Sequence, residues 1–205
     1  MAARPCCDRD RLATVADCRE TAFLNQMTAP QKKKLVPLFI SALENNGVAG
    51  SPRGSAAVAL KYCPEQAPLI APALVKATQD PFPYVRLKAA EALNRVDPGT
   101  AKKAGAVTVV IKVLQDPNDP IAMFAAMALC GFQDESEAAV AALIEALHST
   151  NSLVGCHAVW SLEHASSQHA ERIIPEMRKA AERKENVGGY ARMALEGLES
   201  RRAAK

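Results

Sequence analysis

Aromatic side chains are scarce in this chain of 205 residues, of which Trp, Tyr and Phe together make up only 4%. A β-sandwich core would use more aromatic and β-branched residues than that. Alanine, in contrast, occurs 39 times, and 49% of the chain is hydrophobic. Cores of Ala, Leu, Val and Ile suit closely packed helices, and a chain of this length can bury such a core in one domain. The composition therefore favours an all-α fold.

A long apolar run is also missing, because no stretch approaches the roughly 18 consecutive apolar residues of a transmembrane helix. The N-terminal sequence MAARPCCDRDRLATV carries charge where a signal peptide has its apolar segment. The net charge of +3 at pH 7 is too small to indicate a dedicated nucleic-acid binder. We therefore expect a cytoplasmic protein that binds neither membranes nor nucleic acids.

The common chemical motifs are absent as well. The six cysteines contain no C-x-x-C pair and no His at metal-ligand spacing, so neither a zinc site nor a redox motif is indicated. We expect them to remain thiols, and we interpret Cys6 and Cys7 as part of a solvated arm rather than as acylation sites. No P-loop, dinucleotide-binding, zinc-protease or nucleophile-elbow motif occurs. The sequence therefore predicts no catalytic residue, no cofactor and no metal site.

Two landmarks repeat along the chain. Segments of the form Ala-x-x-x-Leu end at five leucines separated by 33, 36, 33 and 33 residues: Leu60, Leu93, Leu129, Leu162 and Leu195. An apolar segment precedes each of them, and three of these segments carry a proline at the same place: Pro37, Pro72 and Pro175. Because both landmarks keep the same period, the sequence predicts a pair of helices repeated five times.

The second helix of each pair has a well-defined apolar stripe. Val85, Ala89, Leu93 and Val96 step by four, four and three residues, and the later units repeat this pattern. Alanine in the middle of the stripe allows two helix axes to approach closely. We predict that this stripe is buried.

The first helix of each pair is apolar at i, i+3, i+4 and i+7, as in Leu35, Leu38, Phe39 and Ala42. We expect these positions to face the core. A proline costs no hydrogen bond in the first turn of a helix, and we expect the three repeated prolines to lie there.

The units resemble the HEAT-repeat family, especially its short bacterial type and the similar repeats of phycobilin lyases. The shared pattern is an apolar first helix, an Asp-containing turn and Val-Arg-x-x-Ala-x-x-Ala-Leu, which is clearest from Asp80 through Val85 and Arg86 to Leu93. At the Arg position the other copies carry Arg53, Ala122, Gly155 and Gly188. The family's Asp–Arg ladder is thus mostly absent. The resemblance covers roughly residues 30–199 and implies a right-handed α-solenoid of about five HEAT-like two-helix repeats.

We predict three segments on this basis. Residues 1–29 form an N-terminal arm and a capping helix (residues 8–27) that covers the first repeat. Residues 30–199 form the array, and residues 200–205 form a basic tail. The predicted repeats are approximately 30–63, 64–97, 98–133, 134–166 and 167–199.

The side of each second helix opposite its stripe, here called the second-helix face, changes character along the chain. It is mixed in the first two repeats, but later it becomes rich in Met and aromatic residues. The candidate partner-binding residues are Met123, Phe124, Met127, His157, Trp160, His164, Tyr190 and Met193. The resemblance places this face on the concave surface of the array. We predict a groove for a partner helix or extended peptide, with Trp160 at its centre.

Several alternatives remain open. The same side chains could simply pack against neighbouring helices as core. A phycobilin-lyase-like lyase or chaperone could use the face and His157 to hold a tetrapyrrole, an idea that rests on the resemblance alone. His157 and His164 lie two turns apart on one face and would need further ligands to hold a metal. A DNA-binding HEAT protein would need a basic stripe where this one is apolar. We favour a non-enzymatic adaptor or scaffold for another protein.

Overall fold

The computed structural model describes residues 23–24, 26–116, 120–132, 136–165, 169–184 and 186–203. Residues 201–203 are described by their backbone alone. Within these ranges the chain forms α-helices and short 3₁₀ turns and no β-strand. The prediction of an all-α fold is therefore confirmed. Cys6, Cys7 and most of the predicted arm and capping helix lie outside the described residues, as does the end of the basic tail.

The chain divides into two compact units, residues 1–109 and residues 110–205. The helices of the first unit are α1 (Ala29–Glu44), α2 (Gly50–Leu60), α3 (Ala67–Ala77), α4 (Pro83–Val96) and α5 (Pro98–Lys103). Helix α1 packs on α2 and α3 packs on α4, while α2 and α4 also pack against each other. The boundary between the units falls within α6 (Ala106–Gln115).

The second unit repeats this arrangement. Its helices are α7 (Ala122–Leu129), α8 (Glu137–Ala146), α9 (Ser152–Glu163), α10 (Ala170–Ala181) and α11 (Asn186–Ala203). The second helices α7, α9 and α11 pack side by side in chain order, while α8 and α10 pack against α9 and α11 respectively. Of the helices in the described ranges, none combines the length and apolarity needed to cross a membrane. The predicted repeat boundaries stay a prediction.

The apolar stripe of the second helices lies in the core of each unit. Four of the landmark leucines are completely buried: Leu60, Leu93, Leu129 and Leu162. Leu195 is half-buried, whereas Ala191 one turn earlier and Leu198 one turn later are buried. The prediction of a buried stripe is therefore confirmed, and the Ala residues in it let neighbouring second helices pack closely.

The predicted core side of the first helix is wrong by one position. Leu38 is 63% exposed, and the buried residues of α1 are Val36 and Leu43. The segment LVPLFISAL is apolar on more than one side, so helical spacing alone cannot choose between two adjacent stripes. The choice is made by packing against α2 and α3.

The predicted place of the prolines is also wrong. Pro37, Pro72 and Pro175 lie inside α1, α3 and α10, beyond the first turn, and all three are exposed. A proline in a helix interior leaves the carbonyl four residues earlier without a backbone donor. Two of these carbonyls belong to the exposed residues Lys33 and Pro68. Water can satisfy them, and packing of the opposite side maintains each helix.

An ion pair buried in the first unit joins the two helix pairs. The guanidinium of Arg53 on α2 binds the carboxylate of Asp80, which lies in the turn before α4. Arg53 Nε also donates to the carbonyl of Leu43 at 2.9 Å, and Asp80 Oδ1 accepts the backbone N–H of Phe82 at 3.0 Å. Because both charges have several partners, their burial is compensated.

In two of the three second helices of the second unit, glycine occupies the repeat position that Arg53 fills in the first, and in the third this residue is Ala122. A Cβ added to Gly155 would lie 2.9 Å from a methyl group of Val187 on α11. A Cβ added to Gly188 would lie 1.9 Å from the backbone carbonyl oxygen of Arg183. At these two positions glycine therefore allows other atoms to approach the helix backbone closely, whereas Arg53 forms an ion pair.

Candidate functional site

All eight predicted partner-binding residues lie in the second unit, on or at the end of its three adjacent second helices. Helix α9 supplies the central ones, and Asn151 is its N-cap residue. The side-chain Oδ1 of Asn151 accepts the backbone N–H of Leu153 at 3.0 Å. Such an N-cap satisfies a helix-terminal donor and fixes where the helix starts. The start of the helix in turn sets which side chains share a face with Trp160.

None of the eight side chains is fully buried. Six are half-buried, while Tyr190 is 52% and Met193 59% exposed. Leu153 on α9 is also 59% exposed. It lies nine residues, or two and a half turns, before the buried Leu162 and therefore on the opposite side of the helix, which is the side of Trp160. The sequence reasoning missed Leu153, although its position opposite the stripe was readable. We call these nine residues the Trp160 face; their binding role stays a prediction.

The Trp160 indole is held in place by the end of its own helix. The rings of Trp160 and His164 have centroids 4.8 Å apart and are inclined by 45°. His164 Nδ1 lies 2.7 Å from the Trp160 carbonyl oxygen and therefore donates its hydrogen to it. This local stack fixes one edge of the tryptophan and leaves the rest of the half-buried ring available for contact.

The electrostatic character of the Trp160 face is set by few groups. Helix α7 contains no ionisable side chain, and burial lowers the pKa of His157 on α9 below its ordinary value. On α11, Arg192 donates to the carbonyl of Ala181 on α10, and Glu199 pairs with Arg178 on α10 at 2.6 Å. Both of these charged side chains are therefore directed at α10 and away from the face.

The corresponding face of the first unit is closed. Val58 and Tyr62 on and just after α2 are buried in a cluster with Leu24, against which Met27 and Phe39 pack. Of the predicted capping helix, the structure describes residues 23, 24, 26 and 27, and Leu24 and Met27 lie on this face; the capping of the first repeat stays a prediction.

Helix α4 in the first unit also buries Leu87 and Lys88 on its second-helix face, while Arg95 at the end of that face is exposed. Glu91 bridges Lys61 Nζ at 2.6 Å and Lys88 Nζ at 3.3 Å. Burial raises the pKa of the Glu91 carboxyl, but the two ammonium groups outweigh burial and bring this pKa down to about 2. The core interpretation of the second-helix face thus describes the first unit, whereas the Trp160 face is half open.

His, Cys, Asp and Glu are the side chains that most often hold a metal ion in proteins. In the part of the chain that the structure describes, no group of three or more of them could hold a metal ion. Burial raises the pKa of the Cys156 thiol, which makes this thiol a poor nucleophile.

Comparison with protein families gives two matches. A model described as HEAT repeats matches residues 107–199, and a model described as HEAT repeat matches residues 70–98. Together they cover more than half of the chain. No curated protein matches the sequence.

Several solved structures of engineered or designed proteins have a similar fold. An engineered protein is 22% identical with a TM-score of 0.54, over 92% of this chain and 87% of that chain. A designed armadillo repeat protein in complex with the peptide (KR)4 is 18% identical with a TM-score of 0.58, over 95% of each chain. A computationally designed armadillo repeat protein for modular peptide recognition is 17% identical with a TM-score of 0.55, over 89% and 92% of the two chains.

These likenesses confirm the predicted fold class, a helical-repeat solenoid, and at such identities they show the fold alone. The predicted similarity to phycobilin lyases in particular is not shown, because the matching models describe HEAT repeats in general. The matched residues include four of the five landmark leucines and the whole Trp160 face. The chain belongs to the HEAT-repeat family.

Proposed function

We propose that this chain is a non-enzymatic interaction module, an adaptor or scaffold, that binds a partner helix or extended peptide at the Trp160 face. One observation carries the proposal. Three adjacent second helices of the second unit leave Met and aromatic side chains half-buried or exposed, whereas Val58 and Tyr62, at the positions of the first unit equivalent to Trp160 and His164, are buried. Such side chains are typical of the central anchors of protein interfaces.

The similar solved structures support a peptide as the occupant. One of these designed repeat proteins is bound to the peptide (KR)4, and another was designed for modular peptide recognition. We propose the cytoplasm as the location, since Cys63, Cys130 and Cys156, the cysteines in the described ranges, form no disulfide.

Truncation of an exposed residue tests the proposal without disturbing the core. We expect the variant Tyr190→Ala to lose the partner in affinity capture from the native host while its Tm stays within about 2 °C of the parent. Leu69→Ala is the matched control, because Leu69 is 54% exposed on α3 of the first unit. Capture of the same proteins by both variants would contradict the proposal.

The chromophore-lyase alternative makes a different prediction. A lyase or lyase-like chaperone would acquire a visible absorbance band after co-expression with a bilin. We expect the protein to stay colourless under that condition, since only the family resemblance favours a tetrapyrrole.

A further inference from the structure

Two glutamates lie beside the Trp160 face. Glu163 and Glu196 occupy equivalent positions, each one residue after a landmark leucine. Oε1 of Glu163 lies 3.4 Å from the point that a Cβ on Gly197 would occupy, so this carboxylate reaches across to the second-helix face of α11. Glu196 holds the same position on α11 and is exposed.

Cations are scarce on the same surface. Among the side chains that the structure describes on α7, α9 and α11, Arg192 is the single Lys or Arg, and it binds the Ala181 carbonyl on α10. The half-buried Trp160 ring adds the negative face of an aromatic quadrupole, which attracts ammonium and guanidinium groups. An acidic, aromatic surface complements a basic partner.

The first unit shows how a second-helix face of this protein can be covered. Leu24 is buried against Val58 and Tyr62, and Met27 packs on the same cluster. Val58 lies two residues before its landmark leucine, as Trp160 does, and Tyr62 lies two residues after it, as His164 does. Two apolar side chains three residues apart therefore match the register of such a face.

From this charge and this register, we infer that the Trp160 face binds a basic amphipathic peptide. Two apolar side chains three residues apart lie beside Trp160, and flanking Lys or Arg residues pair with Glu163 and Glu196. The inference rests on the proposed function and adds the chemical class of the partner. The apolar pair supplies most of the contact area, while the charges select the sequence.

Trp160 is the chain's only tryptophan, so its fluorescence reports binding directly. Three synthetic peptides share the pattern Leu-x-x-Met and differ in their flanks, which are Lys and Arg, Ser, or Glu. We expect saturable changes in Trp160 emission, with the basic peptide binding about tenfold more tightly than the Ser peptide and the Glu peptide weakest. High salt should reduce the difference between the three peptides.

Variants of the chain separate charge from apolar contact. The double variant Glu163→Gln with Glu196→Gln should bind the basic peptide about tenfold more weakly and the Ser peptide unchanged. Glu145→Gln, at an exposed position on α8, is the matched control and should bind both peptides as the parent does. If the double variant has a lower Tm than the parent, Glu196→Gln alone tests the same charge requirement, because Glu196 is exposed.

The outcomes are distinct for the two proposals. Equal affinity for the three peptides would overturn the charge requirement and leave the proposed function standing. No response to any of the peptides would overturn the inference, and capture with the Tyr190→Ala variant would then judge the proposed function independently.

Discussion

The two units place homologous positions in opposite environments. In the first unit, the second-helix face is covered by Leu24 and Met27 and holds the buried bridge between Glu91 and two lysines. In the second unit, the equivalent positions carry Met, Trp and Tyr side chains that stay half-buried or exposed. The repeat register thus decides where a side chain points, whereas its burial depends on what else packs there.

The largest difference concerns the repeat position that Arg53 fills in the first unit and that alanine or glycine fills in the second. We expect Arg53→Ala to lower the free energy of unfolding by about 3–5 kcal/mol, because Asp80 would remain buried without its cation. Urea unfolding followed by circular dichroism measures this. Lys76→Ala, which removes the exposed pair with Glu44, should cost less than about 1 kcal/mol. Equal costs would show that burial of the pair has no special weight.

The covering of the two faces gives the next effect. Leu24→Ala should lower the free energy of unfolding by about 2–3 kcal/mol, because Leu24 is 4% exposed in the cluster with Val58 and Tyr62. Met193→Ala on the Trp160 face should cost no more than about 0.5 kcal/mol, because Met193 is exposed. Chemical denaturation of both variants makes the comparison, and a large cost for Met193→Ala would mean that the Trp160 face is core.

The close approach of the Arg183 backbone to Gly188 in the second unit gives a smaller effect. Gly188→Ala should destabilise by about 1–3 kcal/mol, since its Cβ would overlap the Arg183 carbonyl. The neighbouring Gly189→Ala should be neutral or stabilising, because the nearest atom to its Cβ is a side-chain nitrogen of Arg192 at 4.0 Å. Unfolding monitored by Trp160 fluorescence reports on this unit. The reverse order of the two variants would contradict the packing described.

The smallest effect is the pH response of His157. Its pKa is lowered in the folded state by burial, so the unfolded chain binds a proton more readily as the pH falls through its ordinary value of 6.5. Stability should therefore decrease between about pH 7 and pH 5 and be restored on raising the pH. We expect His157→Gln to reduce this part of the Tm change by about 1–2 °C. An unchanged pH profile would place His157 in a more solvated environment.

The second helices could be predicted from sequence because small and large apolar residues alternate at fixed spacing, as Ala89 and Leu93 do. The first helices could not be predicted to the residue, since LVPLFISAL offers two adjacent stripes and packing selects the one with Val36 and Leu43. The place of the prolines was predicted wrongly because all three lie on the exposed side of their helices. There, water can replace the backbone hydrogen bond that a proline removes.

The candidate site shows the same division. Helical spacing grouped the eight side chains correctly on three adjacent second helices. It could not indicate that one face is covered and the other is not, because the cover comes from Leu24, more than 30 residues before Val58 in the chain. Long-range contacts of this kind leave no periodic signal.

The cover formed by Leu24 and Met27 has a consequence for stoichiometry. A segment tethered to its own docking surface is present at a high effective concentration, so an untethered competitor in solution displaces it poorly. The second-helix face around Val58 and Tyr62 is then occupied internally, which leaves the Trp160 face for the proposed external ligand. The protein should accordingly behave as a monovalent receptor in spite of its repeated architecture.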